Sequence, residues 1–181
     1  MSLDRKMAVA ATCAWWRDLQ PDPATQRPGD RAALARLRRC ALVSDAMQES
    51  ATIALFRRCR ADDPRDLVPV ALAAAVLAHL RVDKPPLTVA RLVGPESSDK
   101  PETALLKPLR FRRLMEAAGA DERLTAFRRL VALAKGELHL TDLAAALLFW
   151  NEERRRRWTY DYWNAGLPAA LLTPQSQETV G

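Results

Sequence analysis

Paired arginines recur along this chain, and their side chains are the groups best suited to binding chemistry. A guanidinium presents a planar fork of N–H donors that matches the oxygens of a phosphate group. Arginines spaced three apart on a helix, such as Arg110 and Arg113, project from the same face. Forks of this kind can follow a nucleic acid backbone without reading its base sequence. The clusters are Arg38–Arg39, Arg57–Arg58, Arg112–Arg113, Arg128–Arg129 and the run Arg154–Arg157.

A structural explanation competes with the binding explanation for each arginine cluster. An arginine pair beside the apolar stripe of a helix can be a solvated face with local partners, as Arg112 would be with Glu116. The pair Glu152–Glu153 stands four residues before Arg156–Arg157, an order that favours ion pairs within one helix. Residue spacing alone leaves both explanations open.

The run of four arginines lies in the segment FWNEERRRRWTYDYW, enclosed by aromatic residues. Adjacent arginines point around a helix and do not form a single face. Trp150, Trp158 and Tyr162 recur at multiples of four, which is more typical of a packed helical strip than of base stacking. We therefore expect these aromatics to pack in the core, and the run to be at most an auxiliary contact.

Residues for catalysis or metal binding show no recognisable pattern. The sequence has no HExxH, no phosphate-binding GxxxxGK[ST] and no GxGxxG. His79 and His139 stand far apart, and the pair Asp62–Asp63 has no third ligand nearby. Widely spaced cysteines predict reduced, partly buried thiols rather than disulfides or a zinc site; they are Cys13, Cys40 and Cys59. We therefore predict no catalytic residue, no metal and no cofactor.

Composition favours a folded, basic protein. The chain has 181 residues, of which 49% are hydrophobic, and its formal net charge is +6. The 28 basic residues are 23 arginines and 5 lysines. A positive balance attracts polyanions, because binding releases their counterions. The apolar stretch at residues 67–80 is too short to span a bilayer, and no secretory cleavage pattern is visible, so we expect a cytoplasmic protein.

Apolar periodicity predicts an all-α fold without a convincing strand. Alanine and leucine dominate and only six glycines occur, which favours helix over sheet. The first helix is expected over Leu3–Leu19, with Ala14 and Trp15 among its buried residues. Asp30 is expected to cap a second helix, and Ser44 a third that continues to about residue 61.

The later helices follow from the same signals. Residues 67–80 are apolar on nearly every side, which predicts a central buried helix with Pro69 in its first turn. Pro108 begins a further helix that Gly119 ends, and Asp121 opens the next one. Thr141 is expected to cap one long final helix that reaches residue 163.

Prolines and polar residues divide the chain into four expected segments. Residues 1–82 form an N-terminal helical lobe, and residues 83–107 a Pro-rich connection that contains the short helix TVARLV. Residues 108–163 form a C-terminal helical lobe, and residues 164–181 a flexible tail. The expected architecture is a helical bundle of two small lobes.

The order of these motifs resembles that of a known family. AWWRDL, GDRAALARLRR, TVARLV, LRFRRLMEA, LTAFRRLVALAK and LAAALLFWNEERRRRWTYDYW follow one another over roughly residues 5 to 163. This order and spacing resemble the CasB family, the small subunit of the type I-E CRISPR interference complex Cascade. The strongest part of the resemblance is RFRRL followed by FRRL and then a tryptophan-rich basic helix.

The resemblance implies an all-helical, two-lobed protein without catalysis of its own. The implied partners are the other Cascade subunits and a second copy of this chain, together with guide RNA, target DNA and the displaced DNA strand. It implies no membrane and no small-molecule substrate. Guide pairing supplies sequence specificity in such a complex, so the protein needs only backbone contacts, as in another CRISPR effector.

The resemblance also carries residues over, position by position. Its motifs contain Arg38, Arg39, Arg91, Arg110, Arg113, Arg128 and Arg129, which we expect to contact nucleic acid backbones. Arg57 and Arg58 are added from the third helix, the less distinctive part of the match. A different class of function stays open, in which the chain is a helical scaffold whose arginines bind protein subunits.

Overall fold

The computed structural model describes residues 3–165. They form ten α-helices, two 3-10 helices at Pro64–Asp66 and Pro101–Thr103, and two strands of two residues each. The α-helices are α1 Arg5–Leu19, α2 Arg31–Arg39, α3 Val43–Met47, α4 Ser50–Arg58, α5 Leu67–Leu77, α6 Val89–Val93, α7 Pro108–Glu116, α8 Ala120–Leu133, α9 Leu140–Leu148 and α10 Glu152–Trp163. The strands are β1 Val82–Asp83 and β2 Glu137–Leu138. The all-α prediction is confirmed.

Helix α5 lies at the centre of the core, as its all-round apolar sequence predicts. Every residue from Val70 to Ala78 is at most 1% exposed. Helices α2, α3, α4, α8 and α9 all pack against α5, so it contacts elements from both halves of the chain. Pro69 lies in its first turn, where the missing N–H has no intrahelical partner to lose.

Helix α1 packs on α4 and α9, and its two adjacent tryptophans hydrogen-bond to α4 and α5. The Nε1–H of Trp15 donates to the carbonyl of Ala51 at 3.0 Å, and that of Trp16 donates to the carbonyl of Leu77 at 3.1 Å. Since both indoles turn inward, the buried face shifts, and Ala14 is exposed contrary to expectation. Asp4 caps the helix by accepting from the N–H of Met7 at 2.7 Å.

Two of the expected helices are each divided into two. The third helix is interrupted at Gln48–Glu49, where Glu49 adopts an extended conformation before α4. The final helix is interrupted between α9 and α10, where Phe149 and Asn151 leave the helical region. Asn151 then starts α10, because its side-chain oxygen accepts from the N–H of Arg154 at 2.9 Å. The expectation of one continuous final helix is therefore wrong.

Three aspartates cap helices that lie far away in sequence. Each carboxylate accepts a hydrogen bond from the first N–H of a helix, a group that has no partner within its own helix. The bonds join Val43 N to Asp121 Oδ1 at 2.7 Å, Val89 N to Asp142 Oδ2 at 2.9 Å and Leu140 N to Asp83 Oδ1 at 2.9 Å. These caps tie α3 to α8, α6 to α9, and α9 to the strand β1.

The local caps expected from the sequence are right in one case and wrong in others. Asp30 caps α2 as predicted, accepting from the N–H of Ala33 at 2.8 Å. Ser44 and Thr141 do not cap, because α3 and α9 begin before them. Gly119 is the N-cap residue of α8 and does not end α7, so α8 begins one residue earlier than expected.

The segment 83–107 contains the short helix that the sequence predicts. Thr88 caps α6 by accepting from the N–H of Arg91 at 3.4 Å. The strand β1 at its start pairs in parallel with β2, with Val82 opposite Glu137, a small sheet that the sequence did not reveal. Helices before and after this segment pack together, and the division into two lobes stays a prediction.

The end of α10 marks the limit of the described chain. Asn164 adopts a left-handed conformation as the C-cap, with φ of 54°, which is common at helix ends. The expected flexible tail falls almost wholly on residues 166–181, outside the described residues. Among residues 3–165, no helix combines the length and hydrophobicity needed to cross a membrane.

Candidate nucleic-acid interface

Arg128 of α8 is engaged inside the fold. Its guanidinium donates to the carbonyl of Leu37 at 2.9 Å, of Cys40 at 2.6 Å and of Ala75 at 3.3 Å. The first two acceptors lie at the C-terminal end of α2, where carbonyls lack intrahelical donors, and the third lies in α5. Arg128 therefore connects three helices by charge-assisted hydrogen bonds, and its donors point away from solvent.

Three further candidate arginines are partly engaged with protein groups. Arg91 donates to the carbonyl of Pro95 at 2.7 Å and more weakly to that of Glu96, which holds the loop after α6. Arg38 donates through Nε to the carbonyl of Ala78 at 2.7 Å. Arg58 forms an exposed ion pair with Asp18 at 2.6 Å. Each of the last two retains donors that a ligand can use.

The remaining five candidates are exposed and have no side-chain partner within residues 3–165. They are Arg39, Arg57, Arg110, Arg113 and Arg129. An exposed, unpaired guanidinium carries its full hydrogen-bonding capacity and needs no protein contact to be broken before it binds a phosphate. These five are therefore the arginines best placed to bind an external anion.

Three of those five meet at an open groove between α7 and α8. Arg110, Arg113 and Arg129 line it, and its volume is about 820 Å³. Sequence spacing predicts Arg110 and Arg113 on one face, but only the packing of α8 on α7 brings Arg129 beside them. The rest of the lining is mostly apolar, with two carboxylates, a feature that the arginine pattern did not indicate. These residues are Leu106, Leu114, Glu116, Ala117, Glu122, Thr125, Ala126, Leu130, Ala132 and Leu133.

The run Arg154–Arg157 is mostly committed to ion pairs and packing. Arg154 pairs with Asp142 of α9 at 3.6 Å, and both side chains are largely buried, at 19% and 12% exposure. Arg155 pairs with Glu152 at 2.9 Å, and Arg157 with Asp161 at 3.5 Å. The expected ion pairing within the helix is confirmed for Glu152, although its partner is Arg155 and not Arg156, whereas Glu153 pairs with Arg5 of α1 at 4.0 Å.

The expected core packing is confirmed for Trp158 and Tyr162, whereas Trp150 is partly buried against the core and Tyr160 is 51% exposed. Trp158 and Tyr162 are fully buried. The hydroxyl of Tyr162 donates to the carbonyl of Leu106 at 2.6 Å, and its ring stacks on Phe111 with centroids 3.9 Å apart. Helix α10 therefore packs on α6, and through the stack of Tyr162 on Phe111 it also contacts α7.

Titratable groups in the core are shifted toward their neutral forms. Burial, together with the charges of Arg128 and Arg38, lowers the pKa of His79 to about 4, so the imidazole is neutral at pH 7. Burial raises the pKa of Asp142, although the Val89 N–H and Arg154 oppose part of that rise. The causes of both pKa shifts are burial and contacts within the fold. Within residues 3–165, no group of three or more His, Cys, Asp or Glu residues is placed to hold a metal ion.

The three cysteines were expected to be reduced, partly buried thiols, and the structure buries them more fully than that. All are free, and their side chains are buried. Burial raises the pKa of each thiol, which keeps it protonated and makes it a poor nucleophile.

Comparison with known proteins decides the family. Residues 33–163 match the family model of CRISPR-associated protein Cse2, which is well over half of the 181 residues. The chain belongs to the Cse2 family. Cse2 is the CasB small subunit, so the resemblance seen in the sequence is confirmed. Cse2 membership makes this chain a subunit of a type I-E CRISPR Cascade complex, and thereby implies protein partners.

The Cse2 match contains every candidate arginine, from Arg38 to Arg129, but not α1. Helix α1 nevertheless packs on α4 and α9 and supplies two buried tryptophans to the core. No match was found among curated proteins, and none among solved structures.

Proposed function

We propose that this Cse2-family subunit binds nucleic acid in the Cascade complex and stabilises the R-loop without catalysing a reaction. Its ligands are the guide RNA–target DNA duplex and the displaced strand, contacted through phosphates and without sequence preference. A cytoplasmic location and a second copy in the same complex belong to this proposal. The observation that carries it is the set of exposed arginines that have no side-chain partner among residues 3–165, on a chain of net charge +6.

The nine candidate arginines divide according to the donors they have free. Arg39 and Arg57 lie at the C-terminal ends of α2 and α4, are exposed and lie outside the α7–α8 groove, so we assign them first to phosphates. Arg38 and Arg58 can add contacts with their remaining donors. Arg91, like Arg128, we assign to holding the fold, because its donors end on backbone carbonyls.

The alternative function, a helical scaffold that binds protein partners, is favoured by a different observation. Arg110, Arg113 and Arg129 share the α7–α8 groove with Glu116 and Glu122, and a surface of mixed charge can pair with groups of both signs on a protein. Cascade membership already implies protein neighbours. The two functions therefore use different parts of the surface, and one protein can have both.

The nucleic-acid function is tested by charge reversal of Arg39→Glu with Arg57→Glu in the assembled complex. We expect the R-loop lifetime to fall about tenfold, since two phosphate contacts are lost and repulsion replaces them. The slope of the logarithm of single-stranded DNA affinity against the logarithm of salt concentration should become less negative by about one to two, because fewer counterions are released.

The matched control is Lys6→Glu with Lys100→Glu, which changes the net charge equally at two exposed lysines whose side chains form no hydrogen bond or salt bridge within residues 3–165. If both double variants shorten the R-loop lifetime equally, only the overall charge matters and the assigned contacts are wrong. Incorporation into Cascade is measured in parallel. A scaffold function predicts that incorporation is lost first, whereas the proposed function predicts normal incorporation with a less stable R-loop.

A further inference from the structure

A third arginine holds the backbone on both sides of the pair Arg38–Arg39. The carbonyl of Leu37, the residue before the pair, accepts a hydrogen bond from Arg128 at 2.9 Å, and the carbonyl of Cys40, the residue after it, accepts one at 2.6 Å. The same guanidinium donates to the carbonyl of Ala75 in α5 at 3.3 Å. Arg128 therefore fixes to the central helix the end of α2 that carries two of the candidate phosphate contacts.

The C-terminal end of α2 is by itself an unfavourable place for a phosphate. The last carbonyls of a helix have no donor within the helix and together carry about half a negative charge, which repels an anion. They can also accept hydrogen bonds from basic side chains in the last turn of their own helix. The end of α5 lies beside that of α2, because Arg38 donates through Nε to the carbonyl of Ala78, the C-cap of α5, at 2.7 Å. A phosphate at Arg38–Arg39 therefore binds only weakly unless a cation neutralises both helix ends.

Arg128 supplies such a cation from α8. Its donors occupy carbonyls at both helix ends, so these acceptors are not open to Arg39, which is exposed and has no side-chain partner within residues 3–165. The charge of Arg128 also lies near that of Arg38. Burial, followed by the charges of Arg128 and Arg38, lowers the pKa of His79 to about 4, so both guanidinium groups are close to one imidazole. Three guanidinium groups thus lie at the end of α2 and make it attractive to an anion.

We propose that Arg128 is a positioning residue for phosphate binding, which occupies the carbonyls on both sides of Arg38–Arg39 and thereby leaves Arg39 free to bind a phosphate. Without Arg128, those carbonyls accept hydrogen bonds from Arg39 itself, and their partial negative charge repels the ligand. Arg128 acts through α2 and does not itself contact the phosphate, because its donors are engaged by carbonyls. The inference rests on the proposed nucleic-acid function and gives Arg128 a second role besides holding the fold.

A double-mutant cycle in the assembled complex separates positioning from stability, with the R-loop lifetime as the readout. Arg39→Met, Arg128→Met and the variant that combines them form the cycle. In a parallel cycle Arg57→Met replaces Arg39→Met, because Arg57 lies on α4, whereas the hydrogen bonds of Arg128 end on α2 and α5. If Arg128→Met does not assemble, Arg128→Lys takes its place in both cycles, since it keeps the charge but lacks the fork that spans two carbonyls.

Leu143→Ala is the control for loss of stability alone. Leu143 is fully buried in α9, which packs on α1 and α5, so its truncation destabilises the core without removing a hydrogen bond at the end of α2. Lifetimes are compared at a temperature at which circular dichroism shows every variant to be folded.

We expect Arg39→Met to shorten the R-loop lifetime about threefold in the otherwise unchanged chain, and by less than about 1.5-fold when Arg128→Met is present, because Arg39 is then already turned back onto the carbonyls. Arg128→Met alone should shorten the lifetime about fivefold and Arg128→Lys about twofold, since the loss of charge adds repulsion to the loss of positioning. Arg57→Met should have the same effect with and without Arg128. Leu143→Ala should change the lifetime by less than about 1.5-fold.

The proposal is overturned if Arg39→Met has the same effect with and without Arg128, or if Leu143→Ala shortens the lifetime as much as Arg128→Met, since loss of stability would then explain the result. An effect of Arg39→Met with none of Arg128→Met removes the positioning role and leaves the nucleic-acid function standing. If Arg57→Met acts but Arg39→Met does not, the end of α2 is not a phosphate site and the proposal fails there alone. If neither substitution changes the lifetime, the nucleic-acid function itself fails.

Discussion

Arginines have two different roles in this protein, and two adjacent residues illustrate both. Arg128 spreads its guanidinium over carbonyls of α2 and α5, whereas Arg129, the next residue, is exposed at the α7–α8 groove. A helix turns by about 100° per residue, so neighbours in sequence face different surroundings. A pair of arginines is therefore not a unit of function, and each member needs its own assignment.

Replacing Arg128 should destabilise the fold. Arg128→Met leaves three carbonyls without a charged donor, and we expect the free energy of unfolding to fall by about 3 kcal/mol. Arg128→Lys keeps the charge but lacks the planar fork, so an intermediate loss of about 1 to 2 kcal/mol is expected. Urea denaturation followed by circular dichroism measures both changes.

Arg129→Met is the matched control for this prediction, because it removes the same type of side chain one residue later on the same helix. Its effect should stay within about 0.5 kcal/mol, as for other exposed positions. Equal destabilisation by the two methionine substitutions would show that Arg128 is not the connection between α2, α5 and α8.

At the scale of elements, short helices are fixed by contacts from elsewhere in the chain. Helices α3 and α6 have five residues each, too few to be stable alone. Asp121 caps α3, and Asp142 caps α6, each from more than fifty residues away. A first helical N–H then has an acceptor only when the tertiary structure has formed, so these helices and the fold stabilise each other.

The cap of α3 observed in the structure, Asp121, can be tested against the cap that the sequence indicated, Ser44. Asp121→Ala removes the acceptor for the Val43 N–H and should lower the free energy of unfolding by about 1 kcal/mol. Ser44→Ala should have an effect near zero, because α3 begins before Ser44. Asp121→Asn retains a side-chain oxygen and should fall between the two. A larger effect of Ser44→Ala than of Asp121→Ala, measured by thermal or urea denaturation, would reverse the assignment.

The whole molecule is organised around α5, which helices from both sides of residues 83–107 enclose. Helices α3 and α4 pack on α5 from the N-terminal side of the sequence, and α8 and α9 from the C-terminal side. Buried apolar contacts shared in this way couple the stability of the elements that make them. The expected two lobes would then share one core and unfold together.

Leu72→Ala, a substitution in the middle of α5, tests this coupling. Leu72 is 1% exposed, so we expect a loss of about 2 to 5 kcal/mol. Hydrogen exchange followed by mass spectrometry should show protection falling together in α1 and α8. The control is Leu109→Ala, which is 58% exposed and should cost much less. Loss of protection in α1 with α8 unchanged would mean that the two lobes unfold independently.

The sequence by itself determined the features that depend on local chemistry. Apolar periodicity predicted the helical class and the central helix. Pro69 marked the first turn of α5, and Asp30 was correctly predicted to cap α2. Motif order gave the family, which residues 33–163 confirm. These signals are readable because each depends on residues within a few positions of one another.

The tertiary structure decided which polar groups are free and which are used. Arg128 and Arg129 are identical in type and adjacent, and only packing leaves one bonded to carbonyls and the other exposed. The α7–α8 groove likewise exists only because α8 packs on α7, and the caps Asp121 and Asp142 reach their helices across long sequence separations. Hydrogen bonds and grooves depend on distances in space, and residue spacing fixes such distances only within one element.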